Sequence, residues 1–282
     1  MSRIDLHLHT THSDGSYSTR EVMTFAKQAG VTALSITDHD IVEGVPEAFA
    51  IGAELGIEAI PGVEISSRQE DSELHILGYF LNWTDPVLAQ RLARLRDSRH
   101  TRNPQIVQRL NELGIPITYE EVRTLAGTES VGRPHIARLL MEKKFVTSAK
   151  EAFDKYLANG RPAFVDRDLP QPVEAVRWIR EAGGVPVLAH PTWVRTSADG
   201  LRTLLWELKE AGMGGIEVHY STHTPSQTTE YLALAKQCDL LVTGGSDFHG
   251  VTKPDIEVGI GRGQLKVSDK LLDPLRKAAT SR

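Results

Sequence analysis

The sequence predicts an α/β barrel that is interrupted by a small helical domain. Three observations carry this prediction. Strand-like runs alternate with helix-like runs at both ends of the chain, the middle is charged and helical, and 282 residues suffice for one large barrel or two ordinary domains. Since strands that alternate with helices pair mainly in parallel, we expect a mainly parallel sheet covered by helices.

The first predicted strand covers residues 3–9, in which apolar and polar side chains alternate. Asp5, His7 and His9 occupy every second position of this run. Because side chains on a strand point alternately to its two sides, His7 and His9 should point the same way. A polar loop then leads to the first helix.

That helix is predicted from Thr19 to Ala29, with Ser18 as N-cap, Glu21 completing a capping box and Gly30 as stop signal. The same alternation continues along the chain. Further strands are predicted at 31–37, 57–65, 74–80, 185–189, 215–219 and 240–243, and further helices at 44–55, 173–181, 201–211 and 228–237.

The stretch from about residue 85 to 160 shows charged helical segments and no buried strand pattern. We therefore divide the chain into a discontinuous barrel, 1–98 and 166–282, and a helical insertion, 99–165, which should contribute to substrate binding. Arginines are concentrated where the insertion begins: Arg91, Arg94, Arg96, Arg99, Arg102 and Arg109 face a single acid, Asp97. This run predicts either a contact for phosphate-rich ligands or a solvated helix face, and both interpretations stay open.

Composition excludes several classes of protein. The net charge of −5 gives no general affinity for nucleic acid or anionic membranes, and no apolar run is long enough to span a bilayer. The N-terminus lacks the pattern of a secretion signal, so we expect a cytoplasmic protein, and no obligate protein partner is evident. Cys238 is the only cysteine, which excludes an internal disulfide and any thiolate cluster within the chain. Metal ligands must therefore be mostly His, Asp or Glu.

Histidines and carboxylates stand at or just past the ends of most predicted strands, or at the start of one in the case of His75. These residues are His7, His9, Asp14, His39, Glu64, His75, His190, Asp247 and His249. A lone histidine on a strand is more often an ordinary core or surface residue. Histidines at four separate strand ends, however, exceed what packing requires, and the carboxyl ends of barrel strands meet on one face.

The pattern therefore predicts a site for two or three divalent ions, and nitrogen and oxygen ligands without sulfur suit zinc, manganese or iron. Four other histidines, His12, His100, His219 and His223, lack this context. We expect His100 on the surface and the other three as supporting or substrate groups.

The segments HLHTTHSDGSYS, SITDHD, GVEIS, HILGYF, AHP and GSDFHG together resemble the PHP family, named for polymerase and histidinol phosphatase. The match covers nearly the whole barrel part. The resemblance implies a distorted seven-stranded α/β barrel with a trinuclear centre of manganese, iron or zinc, of which manganese is our expectation, and a phosphoesterase activity.

Carried over by motif, the resemblance implies three overlapping ligand sets bridged by Glu64. His7, His9, Glu64 and Asp247 would hold one metal, Glu64, His75 and His190 a second, and Asp14, His39 and His249 a third. Asp247 would thus also act in catalysis. Hydrolysis would use water activated by the ions and need no covalent intermediate.

The segment SVGRPHIARLL at 130–140 resembles the PHP group that removes the 3′-phosphate from nucleoside 3′,5′-bisphosphates, some members of which trim RNA from its 5′ end. The resemblance implies that Arg133 and His135, with Ser130 as a weaker candidate, bind the 5′-phosphate. The alternative is that Arg133 pairs locally before the helix begun by Pro134. His223 is a candidate general acid. The competing functions are histidinol phosphate hydrolysis and a noncatalytic metal- or nucleotide-binding module.

Overall fold

The computed structural model of the chain describes residues 3–70, 72–127 and 130–280. Its strands are β1 (Arg3–Leu8), β2 (Val31–Ile36), β3 (Glu58–Gln69), β4 (Ser72–Tyr79), β5 (Val185–Leu188), β6 (Gly215–Tyr220) and β7 (Leu241–Gly245). Its helices are α1 (Thr19–Gln28), α2 (Val45–Leu55), α3 (Pro86–Glu112), α4 (Tyr119–Ala126), α5 (Arg133–Glu142), α6 (Ala149–Ala152), α7 (Pro172–Glu181), α8 (Ala198–Glu210), α9 (Pro225–Gln237) and α10 (Leu272–Thr280). Every predicted strand and helix is present, with ends shifted by a few residues.

The strands form one seven-stranded sheet in chain order, and the sheet is nearly closed into a barrel. The last turn after β7 comes back to the end of β1, where the Asp247 amide donates to the His7 carbonyl oxygen at 2.8 Å. A parallel bridge also joins Leu8 and Phe248. The predicted distorted seven-stranded α/β barrel is confirmed.

The sheet is mainly parallel, as predicted, but β4 is antiparallel to both β3 and β5. In the register of β3 with β4, Ser66 lies opposite His75 and Glu64 opposite Leu77. The reversal brings the beginning of β4 to the edge at which the parallel strands end. This is why His75 stands at the start of its strand while the other predicted ligands stand at strand ends.

Local sequence signals account for the start of α1. The Ser18 side chain accepts from the Glu21 amide, and the Glu21 side chain accepts from the Ser18 backbone in return. This capping box satisfies amides that would otherwise lack partners in the first turn. The predicted N-terminus is confirmed.

Helix α3 joins two hydrophobic clusters. Its first half contributes Leu88, Leu92 and Leu95 to the large core cluster that also holds β3, β4 and α7 residues. Its second half contributes Ile106, Val107 and Leu110 to a separate cluster made of residues from 106 to 165. Pro104 lies inside the helix between the two halves.

Within the described residues, no helix has both the length and the apolar character needed to cross a membrane.

Candidate metal centre and substrate cavity

The nine predicted ligand side chains come together in one cluster at the edge of the sheet where the parallel strands end. We call this the histidine–carboxylate cluster; its members are His7, His9, Asp14, His39, Glu64, His75, His190, Asp247 and His249. All except His75 are buried. The backbone at His190 and Asp247 has positive φ angles of 26° and 56°, which L residues rarely adopt. Such strain is typical of functional sites.

Glu64 lies at the centre of the cluster, and its two carboxylate oxygens face different histidines. Oε1 lies 2.9 Å from His75 Nδ1 and 3.0 Å from His190 Nε2. Oε2 faces three ring nitrogens, His7 Nε2 at 3.2 Å, His9 Nε2 at 3.1 Å and His39 Nδ1 at 3.2 Å. Glu64 could therefore contribute ligand oxygens to more than one of the candidate metal groups.

Asp14 and Asp247 lie on either side of the His249 ring. Asp247 Oδ1 is 3.2 Å from His249 Nδ1, and Asp14 Oδ1 is 3.3 Å from His249 Nε2. The ligand atoms of His9, Asp14, His39 and His249 all lie within 4.8 Å of one another, as do those of three smaller groups: His7, Glu64 and His190; His7, His9 and Asp247; and His39, Glu64 and His75. These groups overlap the three sets implied by the resemblance without coinciding with them.

The ring nitrogens and carboxylate oxygens of the cluster are better placed to coordinate metal ions than to form hydrogen bonds with one another. Although fully buried, His7 Nε2, His9 Nε2 and Glu64 Oε2 have no hydrogen-bond partner among the described residues. Their separations of 3.1 to 3.2 Å are short, yet their directions do not meet hydrogen-bond geometry. Buried polar atoms in this state are costly unless a further group pairs with them. Imidazole nitrogens and carboxylate oxygens aimed at common points are the ligands of zinc, manganese or iron.

Three carboxylates behind the cluster were missed as functional residues at the sequence level. Glu217 Oε1 lies 2.9 Å from His7 Nδ1, and its Oε2 accepts from the His190 amide at 2.8 Å. Asp38 accepts from Thr10 and Ser13 in the loop that carries Asp14. Asp5 accepts from the amides of Ser246 and Gly259.

These supporting carboxylates orient the ligands rather than face the cavity. The sequence did contain a signal for Asp5, because the alternation of side chains along β1 places it on the same side of the strand as His7 and His9. Burial raises the pKa of Asp5 to about 6, against the opposing effect of its hydrogen bonds. For Glu217 the signal was weaker: a charged residue between the apolar residues Ile216 and Val218 of a strand.

The orientation of the Asp247 side chain is fixed by hydrogen bonds to one of its two oxygens, Oδ2. Oδ2 accepts from the Tyr220 hydroxyl at 2.7 Å and from Lys253 Nζ at 2.6 Å, which leaves Oδ1 towards the histidines. Burial opposes ionisation, but Lys253 and neighbouring histidines hold the pKa of Asp247 well below its usual range. The side chain therefore presents a charged oxygen to the cluster.

A cavity of about 470 Å³ opens over the histidine–carboxylate cluster, and part of its wall is cationic. We call this wall the arginine cluster; it consists of Arg99, Arg102, Arg133 and Arg167. Asp40 pairs with Arg99 at 2.6 Å and with Arg167 at 3.4 Å. Burial would raise the pKa of Asp40, but these guanidinium groups lower it to about 2.

Glu73 connects the two sides of the cavity. Its Oε2 accepts from Arg133 Nη2 at 2.6 Å, and its Oε1 lies 3.7 Å from Arg167 Nη2 and 3.9 Å from His75 Nε2. A single side chain, that of Glu73, therefore lies between the arginine cluster and the proposed ligand His75. An elongated ligand with an anionic group at each end would match this geometry.

Some arginines of α3 line the cavity, as expected for a contact with phosphate-rich ligands, and others lie on a solvated helix face. Arg99 and Arg102 are buried and line the cavity, whereas Arg91 and Arg96 form ion pairs with Glu181 and Glu43. Arg109 donates to the Phe164 carbonyl oxygen. One face of the helix therefore reaches the cavity and the rest is an ordinary charged surface.

The structure places the predicted substrate residues unequally. Arg133 lines the cavity, but Ser130 and His135 are buried and are not among its lining residues. His135 Nδ1 accepts from the Gly132 amide at 3.0 Å and so caps α5. Burial lowers the pKa of His135 to about 4. Phosphate binding by Ser130 and His135 stays a prediction.

The remaining histidines lie outside the cavity lining. His223 Nδ1 is 2.8 Å from the Val218 carbonyl oxygen, and its ring lies between Tyr220 and Tyr231. This placement gives its predicted role as general acid no support. His100 is exposed, as predicted, while His12 lies 3.4 Å from Glu47 on the surface.

A family model described as the PHP domain matches residues 5–160 of the chain, which is more than half of its length. The chain belongs to the PHP domain family. The family resemblance of the sequence motifs is therefore confirmed.

Several PHP relatives are similar over almost the whole chain. The 5′-3′ exoribonuclease Rnm of Escherichia coli is 36% identical over 90% of this chain and 87% of its own length. The 3′,5′-nucleoside bisphosphate phosphatase of Chromobacterium violaceum is 33% identical over 92% of this chain and 91% of its own. A Bifidobacterium adolescentis structure assigned as a metal-dependent phosphoesterase superposes with a TM-score of 0.86 and 29% identity, covering 98% of this chain and 96% of that one. This PHP protein is a metal-dependent phosphoesterase, with clustered ligands that could bind several ions.

Proposed function

We propose that the protein removes the 3′-phosphate of nucleoside 3′,5′-bisphosphates, such as adenosine 3′,5′-bisphosphate, to give the 5′-monophosphate. The observation that carries this proposal is one cavity that is lined both by residues of the histidine–carboxylate cluster and by the arginine cluster. A substrate with one phosphate would use only one side. A bisphosphate engages both at once.

The cofactors in this proposal are two or three divalent ions, with manganese as the first choice, held by the nine residues of the histidine–carboxylate cluster. Bound there, such ions would supply a water that can act as nucleophile at neutral pH and positive charge for the phosphoryl oxygens. Glu64 divides its oxygens between two groups of histidines, and Asp247 is held with one charged oxygen towards the cluster. The protein's own part is to place the 3′-phosphate there, which the arginine cluster does by holding the other phosphate.

The predicted insertion, 99–165, supplies Arg99, Arg102 and Arg133, while Arg167 follows directly after it. The separate hydrophobic cluster of residues 106–165 supports this division of the chain. The three arginines that the insertion places in the cavity wall support its role in substrate binding. Histidinol phosphate, which has no second phosphate, would leave the arginine cluster without an anionic group of the substrate.

The test is phosphate release from adenosine 3′,5′-bisphosphate and from 3′-AMP with manganese, in wild type, Arg133→Ala and Arg138→Ala. Arg138 is the matched control, because it lies on the same helix α5 and pairs with Glu142 on the surface. We expect Arg133→Ala to lower kcat/KM for the bisphosphate about 30-fold, the lower range for truncating one partner of a buried charged contact. Activity on 3′-AMP should change little. If wild type releases phosphate from neither nucleotide, or favours histidinol phosphate, the nucleotide assignment is wrong.

A second candidate activity, trimming of short RNA from its 5′ end, is favoured by a second cavity of about 440 Å³. It adjoins the first, since Glu73, His75, Arg133, Phe153 and Trp193 line both. Aromatic and cationic side chains both line it, with Phe164, Arg68 and Arg195 as further members. Such surfaces stack the bases and track the backbone of single strands.

Trp193 tests this second activity, because its side chain is exposed and its ring lies 4.1 Å from that of His190. Trp193→Ala should slow trimming of a 5′-phosphorylated oligoribonucleotide by about tenfold, within the range measured for one base stacked on an aromatic ring. Trp206→Ala, an equally exposed tryptophan on α8, is the control. Equal loss in both variants, or no trimming by wild type, would remove the RNA assignment.

A further inference from the structure

Lys253 is a cation that lies beside the histidine–carboxylate cluster rather than in the arginine cluster. Its Nζ is 2.6 Å from Asp247 Oδ2, and its side chain lines the cavity. It is not one of the nine candidate ligands, and it does not belong to the wall that would hold the second phosphate. Beyond the contact with Asp247, the proposed function therefore leaves this lysine without a role.

The turn that carries Lys253 is anchored on the loop after β1. Ser16 Oγ accepts from the Val251 amide at 2.9 Å and donates to the His249 carbonyl oxygen at 3.0 Å. Gly250 has a φ of 70°, and a Cβ at this position would lie 2.2 Å from Ser16 Oγ. Glycine allows this close approach because it has no side chain. The backbone from which Lys253 reaches the cluster is therefore fixed.

The ammonium group of Lys253 keeps donors for a ligand. A lysine has three N–H donors. Among the described residues, Asp247 Oδ2 is the one hydrogen-bond acceptor of Lys253 Nζ. The Tyr220 hydroxyl donates to the same oxygen at 2.7 Å, so the orientation of Asp247 does not depend on the lysine alone. Two N–H groups thus remain for an oxygen atom in the cavity.

Lys253 also lies next to the exposed ring of Trp193. Nζ is 5.4 Å from the centroid of this ring, and Trp193 lines the same cavity. The ammonium group therefore contacts both a candidate metal ligand and an aromatic surface on which the organic part of a phosphoester can rest. A substrate with its phosphoryl group at the cluster and its organic part on the Trp193 ring would bring the oxygen that joins them close to Lys253.

Metal binding does not explain a cation at this position. Like charges repel, so an ammonium group beside Asp247 opposes the binding of divalent ions by the cluster. Phosphoester hydrolysis does give it a use. Water adds to phosphorus as the bond from phosphorus to the leaving oxygen breaks, and the leaving oxygen keeps the electron pair of that bond. A hydrogen bond from an ammonium group stabilises the negative charge that develops on this oxygen.

We propose that Lys253 is a further catalytic residue, which donates a hydrogen bond to the leaving oxygen of the phosphoester. A proton of the attacking water completes the alcohol product, so the lysine gains or loses no proton in the net reaction. This inference rests on the proposed function only in taking that oxygen to be the 3′-oxygen of a nucleotide. Lys253 lines the cavity at the position needed for this role, whereas His223 does not.

The test varies the need of the leaving group for help. Phosphate release from phenyl phosphate and from 4-nitrophenyl phosphate is measured with manganese in wild type, Lys253→Met and Lys253→Arg. We expect Lys253→Met to lower kcat for phenyl phosphate about 100-fold, the lower range for removing one donor to a developing negative charge. The nitro group spreads that charge over the leaving group, so kcat for 4-nitrophenyl phosphate should fall less than about tenfold. Lys253→Arg, which keeps the charge in another shape, should retain part of the activity on phenyl phosphate.

Bound metal and thermal unfolding separate catalysis from a structural role. Because Lys253→Met removes a like charge from the metal site, bound metal per chain, measured by elemental analysis, should equal or exceed that of wild type. A lysine that only positions Asp247 would lower bound metal and slow both esters equally.

Lys209→Met is the matched control. Lys209 also pairs with an aspartate, Asp239, and its side chain is 30% exposed, against 28% for Lys253. It lies on α8 and is not among the lining residues of the cavity. Both aryl esters should be hydrolysed by this variant as by wild type, and its melting temperature measures the loss of a lysine–aspartate pair alone.

Aryl esters also separate this inference from the proposed function, since they carry no nucleoside and no second phosphate. If the aryl esters show the expected difference but wild type releases phosphate from neither adenosine 3′,5′-bisphosphate nor 3′-AMP, the proposed function fails and the role of Lys253 stands. Equal losses for both aryl esters in Lys253→Met, a loss of bound metal in that variant, or no turnover of either aryl ester by wild type would overturn the role of Lys253.

Discussion

The two sides of the cavity are built in opposite ways. The histidine–carboxylate cluster takes its residues from strand ends and the turns that follow them, so the barrel backbone sets their positions. The arginine cluster takes two of its four members from one face of α3, where long side chains reach inward. One side is rich in electron-pair donors, and the other carries excess positive charge.

The difference teaches that the reacting group and the recognised group can be held by separate parts of one fold. Barrel strands give the rigid spacing that several metal ions require. A helical segment packed on its own hydrophobic cluster can change its contacts without moving the strand ends. Variants of the first side should therefore affect all substrates equally, and variants of the second should affect selectivity.

The largest effect is expected from Glu64→Gln. An amide cannot present charged oxygens to both groups of histidines, so phosphate release from both adenosine 3′,5′-bisphosphate and 3′-AMP should fall by more than about 10³-fold. Bound metal per chain, measured by elemental analysis, should fall with it. Glu54→Gln, an exposed glutamate paired with Arg20, is the control. If the turnover of only one substrate were lost, the expectation that variants of the histidine–carboxylate cluster affect all substrates equally would be wrong.

Asp40→Asn should give the next largest effect, on stability. The substitution leaves the buried Arg99 without its carboxylate and Arg167 with Glu73 alone, which should cost about 3 kcal/mol of unfolding free energy in urea. Asparagine tolerates the positive φ of 59° at this position, so the backbone itself is not strained. Asp97→Asn on the exposed side of α3 serves as control. A loss of less than about 1 kcal/mol would mean that water reaches this ion pair.

Glu217→Gln should have a moderate effect that is the same for every substrate. Glu217 orients His7 and the His190 amide from behind, and removing such a partner lowers metal affinity or activity by about 10- to 100-fold. Titration of activity with manganese measures it, with the exposed Glu207→Gln of α8 as control. A change in the preference for the bisphosphate would show that the two sides are coupled.

Glu121→Gln should have the smallest effect and should be confined to the helical segment. Hydrogen bonds from Lys143 and Thr118 hold the pKa of Glu121 at about 2, below its usual 4.5. Its contribution to stability is therefore present at neutral pH and is lost as the pH falls from about 4.5 towards 2. The melting-temperature difference from wild type should shrink over that range, and substrate preference should not change. Glu120→Gln in the same helical turn is the control; an equal effect there would point to net charge.

The sequence was sufficient to bring the nine residues of the histidine–carboxylate cluster together, because strand ends in a parallel sheet converge whatever the details of packing. The period of two in β1 placed His7 and His9 on one side, and the motifs supplied the others. It did not reveal that His135 caps α5 or that Ser130 and His135 lie outside the cavity lining, and phosphate binding by these two residues stays a prediction. The cytoplasmic location and the choice of manganese stay predictions.

By itself the sequence determined the order of strands and helices, the residues of the histidine–carboxylate cluster and the family. Only the tertiary structure decided that β4 runs antiparallel, that Glu217 and Asp5 support the ligands, and that Arg99 and Arg102 turn inward from an otherwise exposed run. Periodicity records which face of an element is apolar. It does not record which buried charge finds a partner, because that depends on side chains brought together from distant parts of the chain.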